Sequence, residues 1–219
     1  EPEPPAPVTE PEKTFEEVLD EHPVSIQVNG QWQTFPNAKA AEEASYEEYK
    51  ANLRRNAKNF RITDEHLGEG GPKAKFQANV NAIRLLKELE AAGQQASPEQ
   101  QEVLSRYVGW GGLSDAFDPE KPAWALEYAQ LKELLTPEEY AAARGSTLNA
   151  HYTSPTVIRA IYETVGRMGF ETGNILEPSC GVGNFFGMLP EEMRNSRLYG
   201  VELDSISGRI AKQLYPKAD

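Results

Sequence analysis

Reactive and metal-binding side chains are scarce in this sequence. It contains one cysteine, Cys180, which excludes an internal disulfide and is typical of a reducing compartment. One cysteine and three scattered histidines (His22, His66 and His151) do not supply the ligand spacing of a zinc site, so no metal is expected. The sequence has neither a Gly-x-Ser-x-Gly nor a His-Glu-x-x-His pattern, and therefore no hydrolase signature.

Long apolar runs are also missing. No stretch of 18 apolar residues occurs, so neither a membrane span nor a membrane partner is expected. The single cysteine favours a cytoplasmic location. The first residues, Glu-Pro-Glu-Pro-Pro, are polar and acidic, unlike a signal peptide. The chain of 219 residues does not start with methionine, and we interpret it as a piece of a longer polypeptide or as a processed one.

Charge is strongly acidic overall but uneven. The net charge of -12 argues against the whole chain acting as a nucleic-acid-binding surface. Residues 1–50 hold 12 acids and 3 bases, whereas residues 51–100 hold 6 acids and 8 bases. The bases cluster at Lys50, Arg54, Arg55, Lys58, Arg61, Lys73 and Lys75. Within it, the basic helix with Arg54, Arg55 and Lys58 could contact phosphate, although we favour a solvated helix face.

The N-terminal quarter predicts a linker, then a hairpin and a helix. Residues 1–13 form a Pro/Glu tract that cannot bury a core, so we expect a disordered linker. Residues 14–60 then form one region. In it, residues 14–17 have capping-box spacing, and residues 24–35 predict a hairpin around Asn29-Gly30. A second capping box at residues 45–48 predicts a helix to about Asn59.

Residues 61–150 predict a mainly helical region. Helices are expected over 76–92, from Ser97, over 123–135 and from Thr136, on apolar spacing and capping boxes. The turn Gly109-Trp110-Gly111-Gly112 contains a large aromatic residue. A base-stacking role for Trp110 is one interpretation, and an aromatic anchor packed between helices is the one we favour.

The last 69 residues have the pattern of a βαβ nucleotide site. A short apolar strand over 175–177 enters the turn Gly181-Val182-Gly183, a helix begins near Phe185, and a second strand over 198–203 contains Glu202. Glycines in such a turn let the backbone approach a ligand, and an acid about 20 residues on can bind ribose hydroxyls. Asn184 lies at the helix start, where free N–H groups favour an anionic group.

These residues resemble a known family. Ile-Leu-Glu-Pro-Ser-Cys-Gly-Val-Gly-Asn-Phe (175–185) and Gly-Val-Glu-Leu-Asp (200–204) are similar to the first two motifs of S-adenosylmethionine-dependent N6-adenine DNA methyltransferases. Tyr-Thr-Ser-Pro (152–155) resembles the motif that precedes them in one subgroup. Residues 61–112 resemble the segment before the methylase in large methylase–helicase fusions of bacterial mobile elements and phages, some linked to antirestriction.

The resemblance implies an α/β fold class: a mainly helical N-terminal region with a β-hairpin, then the first half of a Rossmann-like S-adenosylmethionine-dependent methyltransferase fold over 151–219. It also implies the cofactor, S-adenosyl-L-methionine, and roles for some residues. Glu177 would lie near the methionine amine, Glu202 would bind the ribose and Leu203 the adenine. The implied cofactor residues are Tyr152, Thr153, Pro155, Glu177, Pro178, Gly181, Gly183, Asn184, Phe185, Glu202 and Leu203.

One part of the family pattern is missing. Methyl transfer uses an Asn/Asp/Ser-Pro-Pro-Tyr/Phe motif that grips the flipped base, and no such motif occurs here. The sequence ends about where a third strand would begin, so no catalytic residue is assigned. We expect this chain alone to be inactive, and the parent protein to act on DNA in a restriction-modification context.

Two further assignments stay open at this stage. For Cys180 we favour a small residue filling the turn over a nucleophile, because no histidine is adjacent in sequence. Asp204 is either a site residue or a solvated turn acid. The alternative function is a non-catalytic helical module of antirestriction type that binds a protein or DNA, with a remnant methyltransferase half-fold.

Overall fold

A computed structural model describes residues 22–150 and 152–219, and the side chains of 49–56 are not among the described parts. The predicted linker over 1–13, the capping box at 14–17 and His151 therefore lie outside the described residues. For three of the clustered bases, Lys50, Arg54 and Arg55, only the backbone is described. The chain divides into two compact units, with the boundary between Asn56 and Ala57.

The first unit contains the predicted hairpin. Strands β1 (Val24–Val28) and β2 (Gln31–Phe35) pair antiparallel, with Val24 opposite Phe35 and Val28 opposite Gln31. Asn29 and Gly30 both have positive φ, at 51° and 73°, as a type I′ turn requires. The hairpin prediction is confirmed.

The helix that follows begins earlier than predicted. Helix α1 spans Ala38–Asn56, so the expected start at the capping box of residues 45–48 is wrong. Asn37 caps the helix instead, because its Oδ1 accepts a hydrogen bond from the Ala40 N–H at 2.9 Å. Glu48, the last residue of the predicted box, accepts from the Asn29 N–H at 2.7 Å and so holds the hairpin turn against the helix.

The second unit starts with a helical segment. Its α-helices are α2 (Pro72–Ala91), α3 (Pro98–Ser105), α4 (Ala125–Leu134), α5 (Pro137–Gly145) and α6 (Pro155–Arg167), with 3-10 turns at Ser114–Phe117, Pro122–Trp124 and Ser146–Leu148. The capping boxes predicted at Ser97 and Thr136 are confirmed. Each side chain accepts from the N–H three residues on, and that residue's side chain accepts in return.

Trp110 is part of the core of this segment. Its side chain is 1% exposed and meets Phe76 and Phe117 edge to face, with ring centroids 6.1 Å and 5.3 Å away. The interpretation of Trp110 as a packed aromatic anchor is therefore confirmed, and a base-stacking role would need the ring to leave the core.

A two-stranded parallel sheet follows. Strand β3 (Asn174–Glu177) pairs with β4 (Arg197–Gly200), and the one-turn helix α7 (Asn184–Gly187) and a 3-10 turn at Glu191–Met193 lie between them in sequence. Helix α8 (Ser205–Leu214) comes after β4. At the other edge of β4, the Asp219 N–H donates to the Leu198 carbonyl at 2.9 Å and the Asp219 carbonyl accepts from the Gly200 N–H at 2.7 Å. This is the bonding pattern of a parallel ladder.

The second strand is shorter than predicted. It ends at Gly200 and not at Leu203. Val201 still donates to the Glu177 carbonyl at 2.9 Å, but the Asp204 N–H bonds the Glu202 side chain at 2.8 Å. This local bond turns the chain away from the ladder, so the acids lie in a loop at the end of the strand.

The helical segment and the sheet share one core. Buried residues from α2, α3, α5, α6 and α8 belong to one continuous apolar cluster, so the chain is not divided at residue 150. Residues 57–63 run along the sheet part: Phe60 donates to the Leu214 carbonyl at 2.8 Å and Ile62 to the Gly187 carbonyl at 3.0 Å. Within the described ranges, none of the helices combines the length and apolarity that crossing a bilayer demands.

A buried carboxylate joins three helices of this unit. Glu139 on α5 bonds Lys87 Nζ on α2 and Arg209 Nη1 on α8, both at 2.7 Å, and its side chain is 9% exposed. Burial alone would raise the pKa of Glu139, but the hydrogen bonds from Lys87 and Arg209 lower it overall.

We expect Glu139→Gln to destabilise the chain by about 1–3 kcal/mol at pH 7, because the partly buried Lys87 loses its counter-charge and Arg209 keeps only its pair with Glu90. Glu138→Gln, at the exposed neighbouring position, should change the free energy of unfolding by under about 0.5 kcal/mol. A carboxyl group whose pKa is lowered in the folded state stabilises the fold at pH values above its unfolded-state pKa, and this stabilisation is lost in acid. The difference in unfolding free energy between the wild type and Glu139→Gln should therefore shrink below about pH 4. Urea unfolding at several pH values measures this, and equal effects of the two variants would contradict it.

Candidate functional site

A cavity of about 490 Å³ opens at the carboxyl ends of β3 and β4. Strand ends are where ligands bind in open parallel sheets, because the loops there leave a crevice. The cavity is lined by residues of the sheet loops, Glu177, Ser179, Cys180, Gly181, Asn184, Phe185, Glu202, Leu203, Asp204 and Ser207, and by residues before the sheet, Tyr107, Gly109, Ala142, Gly145, Ser146, Asn149, Ala150, Tyr152 and Thr153.

Eight of the eleven predicted cofactor residues line this cavity: Tyr152, Thr153, Glu177, Gly181, Asn184, Phe185, Glu202 and Leu203. The other three do not. Pro178 is exposed beside the cavity, and Pro155 is buried at the start of α6, where it borders a neighbouring hollow of about 290 Å³. Gly183 is buried on the opposite side of the loop. Cofactor binding by all eleven residues stays a prediction.

The two glycines of the turn have different surroundings. Gly181, with φ of 55°, faces the cavity. Gly183, with φ of 86°, instead packs on the Tyr215 ring, and a Cβ there would lie 2.5 Å from a ring carbon. The missing side chain of Gly183 makes room for the core aromatic residue that follows α8, whereas Gly181 lines the cavity. Cofactor binding at Gly183 stays a prediction.

The Glu202 carboxylate connects the second strand to the glycine turn. Its Oε2 accepts from the Gly181 N–H at 2.7 Å and its Oε1 from the Asp204 N–H at 2.8 Å. Two backbone N–H donors, one on each oxygen, fix the direction of this carboxyl group. Each oxygen keeps a second lone pair, and the residue lines the cavity half-buried. Glu202 can therefore accept two further hydrogen bonds from a ligand.

Asp204 is the cap of helix α8. Its Oδ2 accepts from the Ser207 N–H at 2.8 Å and from the Ser207 hydroxyl at 2.6 Å. The solvated-acid interpretation is therefore replaced by a structural one, in which this carboxylate satisfies the first turn of α8 at the edge of the cavity.

Glu177 and Cys180 are the titratable groups beside the glycine turn. Burial raises the pKa of the Glu177 carboxyl, although a hydrogen bond from the Ser179 backbone opposes the shift. Burial, and then the nearby charges of Glu202 and Glu177, raise the pKa of the Cys180 thiol to about 11. Cys180 is thus held as a neutral thiol at neutral pH, which supports its role as a filling residue.

Tyr152 connects this loop to the helical segment. Its hydroxyl lies 3.1 Å from the Ser207 Oγ, and its ring meets the Tyr107 ring edge to face at 6.5 Å. Burial raises the pKa of Tyr152. Phe185, in contrast, meets Tyr162 edge to face at 6.0 Å, and Leu203 is 99% exposed. Leu203 is therefore at the rim and is not covered by protein.

Sequence reasoning missed the wall that the helical segment supplies. Tyr107, Gly109, Ala142, Gly145, Ser146, Asn149 and Ala150 form it, from the end of α3, the end of α5 and the turns after them. The Gly109-Trp110-Gly111-Gly112 turn was the available signal, because glycine at positive φ marks a close approach. The remaining residues carry no local pattern that indicates a cavity.

Comparisons with known proteins give two partial matches. The chain is 26% identical to Defense against restriction protein B of Escherichia phage P1 over 150 residues, which are 68% of this chain and 5% of that protein. It is 38% identical to Type II methyltransferase M.CvrRI of Paramecium bursaria Chlorella virus XZ-6E over 61 residues, which are 28% of this chain and 16% of that protein. No family model and no solved structure matches the chain.

These matches indicate, over part of the chain, a methyltransferase-related protein with a phage antirestriction relative. The chain covers only a small part of the length of either relative.

Across the described residues, no group of three or more His, Cys, Asp or Glu side chains is placed to hold a metal ion.

We expect Cys180 to react with iodoacetamide at pH 8 roughly ten- to twentyfold more slowly than a free cysteine, because a pKa near 11 leaves little thiolate. Mass spectrometry of the folded chain against the same chain in urea measures the rate. Equal rates in both conditions would show that the thiol is not shielded.

Proposed function

We propose that this chain is the S-adenosylmethionine-binding part of a DNA adenine-N6 methyltransferase. The single observation that carries the proposal is the placement of Glu202, bonded to the Gly181 N–H at the mouth of a cavity between two parallel strand ends. The cofactor would supply an activated methyl group. The residues of this chain would bind and orient it.

Cavity size and shape fit such a ligand. Its 490 Å³ lies in the range of small-molecule sites, which run from about 300 to 1,000 Å³. The two free lone pairs of Glu202 suit the paired hydroxyls of a ribose. Leu203 and Phe185 supply apolar surface for the adenine and the methionine chain.

The charge of the cavity separates this cofactor from other nucleotides. Three acids line it, Glu177, Glu202 and Asp204, and no Lys, Arg or His is among its described lining residues. S-adenosylmethionine carries a sulfonium and an ammonium group against one carboxylate, so it is cationic overall and these acids attract it, whereas the phosphates of NAD or ATP would be repelled. Glu177 is the acid available to the ammonium, because Asp204 is committed to the helix cap.

Two observations support DNA as the substrate. They are the motif resemblance and the match to a type II methyltransferase, which covers 28% of the chain. In such a reaction the target amine must be held in line with the methyl group, and the base must leave the duplex stack. The residues for that step are proposed to lie in other parts of a longer protein.

We expect the chain to bind S-adenosylmethionine and S-adenosylhomocysteine, and to bind NAD at least tenfold more weakly. Glu202→Gln should weaken S-adenosylmethionine binding by about 1–3 kcal/mol, because a glutamine presents one oxygen where the carboxylate presents two. Isothermal titration calorimetry measures both.

Glu192→Gln is the matched control, because Glu192 is exposed and does not line this cavity. It should bind like the wild type. Unchanged affinity in Glu202→Gln would remove Glu202 from the site, and equal binding of NAD would contradict the cofactor assignment.

A second candidate function is a non-catalytic antirestriction module. The observation that favours it is the longer match, over 150 residues, to a protein named for defence against restriction. The two candidates differ in one test on the longer protein: incorporation of labelled methyl groups into DNA supports the enzyme, and protection of DNA from restriction without methylation supports the module.

A further inference from the structure

The Tyr152 ring lies between two glycines from distant parts of the sequence. A Cβ on Gly109 would be 2.6 Å from ring atom Cε2, and a Cβ on Gly181 would be 2.8 Å from Cε1. Real Cβ contacts are not that short, so only glycine fits on either side. Both glycines also have positive φ, 69° and 55°. The helical segment and the cavity loop therefore contact the same ring at opposite edges.

The position of Gly109 is fixed by the side chain of Asn79 on α2. The Asn79 side chain is fully buried and bonds two neighbouring backbone groups, donating to the Gly109 carbonyl at 2.6 Å and accepting from the Val108 N–H at 2.9 Å. A buried amide with both ends bonded fixes the position of the backbone it contacts. Trp110, packed in the core, fixes the next residue.

Tyr152 connects the position of Gly109 to that of the cavity loop. Its hydroxyl bonds Ser207 beside the Asp204 cap, and its ring limits how far the loop at Gly181 can move. The Gly181 N–H is in turn the donor to Glu202. A shift of the Tyr152 ring would therefore move or release the N–H that orients the Glu202 carboxylate.

We propose that Asn79 and Gly109 are positioning residues for the cavity: they hold Tyr152 against Gly181 and so set the loop over 178–183 for ligand binding. The coupling between the turn at Gly109 and the loop over 178–183 is inferred from their contacts and does not depend on the ligand. Its effect on S-adenosylmethionine binding rests on the proposed function. The helical segment is then a working part of the site and not a separate module.

The chain offers a matched pair of variants to test this. Gly109→Ala and Gly112→Ala place a methyl group in the same turn at nearly the same φ, 69° and 73°, so the backbone strain is similar. A Cβ at Gly112 has no atom within 4 Å, whereas one at Gly109 meets the Tyr152 ring. Only Gly109→Ala should therefore act on the loop.

Two quantities are measured for each variant: the rate of hydrogen–deuterium exchange in peptides covering 178–183, and the Kd for S-adenosylmethionine. We expect Gly109→Ala to speed loop exchange at least fivefold and to raise Kd at least tenfold. Gly112→Ala should leave both within twofold, and its drop in Tm measures the shared backbone strain without the clash. Identical loop exchange in the two variants would overturn the inference.

The outcomes separate the inference from the proposed function. If the wild type binds no S-adenosylmethionine, the proposed function fails, and loop exchange alone still decides the coupling. If Gly109→Ala does not fold, Asn79→Ser replaces it, because serine is too short to bond both Val108 and Gly109. Asn79→Ser should speed loop exchange at least threefold, and no change there would contradict the inference.

Discussion

The cavity depends on the hydrogen bond between the Glu202 carboxylate and the Gly181 N–H, 2.7 Å long. It joins the loops that follow two parallel strands, and it holds a charged side chain at the cavity mouth. The bond requires a glycine turn on one side, with Gly181 at positive φ, and a strand that ends early on the other. Each of these features gives a ligand access to fixed backbone and carboxylate groups.

The acidic residues of the second unit either stabilise the fold or face the cavity. Asp204 caps α8, and Glu139 holds three helices together through Lys87 and Arg209. Glu202 and Glu177 keep acceptor capacity toward the cavity. Of the three acids that line the cavity, Asp204 stabilises the fold, and Glu177 and Glu202 are the two that would meet the cationic ligand of the proposed function.

Local patterns predicted much of this arrangement from the sequence. The Asn29-Gly30 turn and the capping boxes at Ser97 and Thr136 specify their elements through bonds within four residues. The βαβ pattern predicted the parallel pairing of β3 and β4, whereas the hydrogen bond between Gly181 and Glu202 became visible only in the structure. The Rossmann-like continuation of the sheet stays a prediction.

Contacts between distant segments could not be predicted in this way. The place of Gly109 against Tyr152, and of Tyr215 against Gly183, depends on how helices pack and leaves no periodic signal. The start of α1 was missed because Asn37 caps it, so the box pattern at 45–48 was coincidental. Competing caps of similar strength are decided by tertiary contacts, here between Glu48 and the hairpin turn.

The most direct measurement of the central claim is the amide NMR spectrum of the chain during titration with S-adenosylmethionine. The account predicts saturable shifts of the Gly181 and Asp204 resonances, because both N–H groups bond the carboxylate that would receive the ribose. NAD should need at least tenfold higher concentration to shift these two resonances. Saturable binding of S-adenosylmethionine that moves neither resonance would contradict the account.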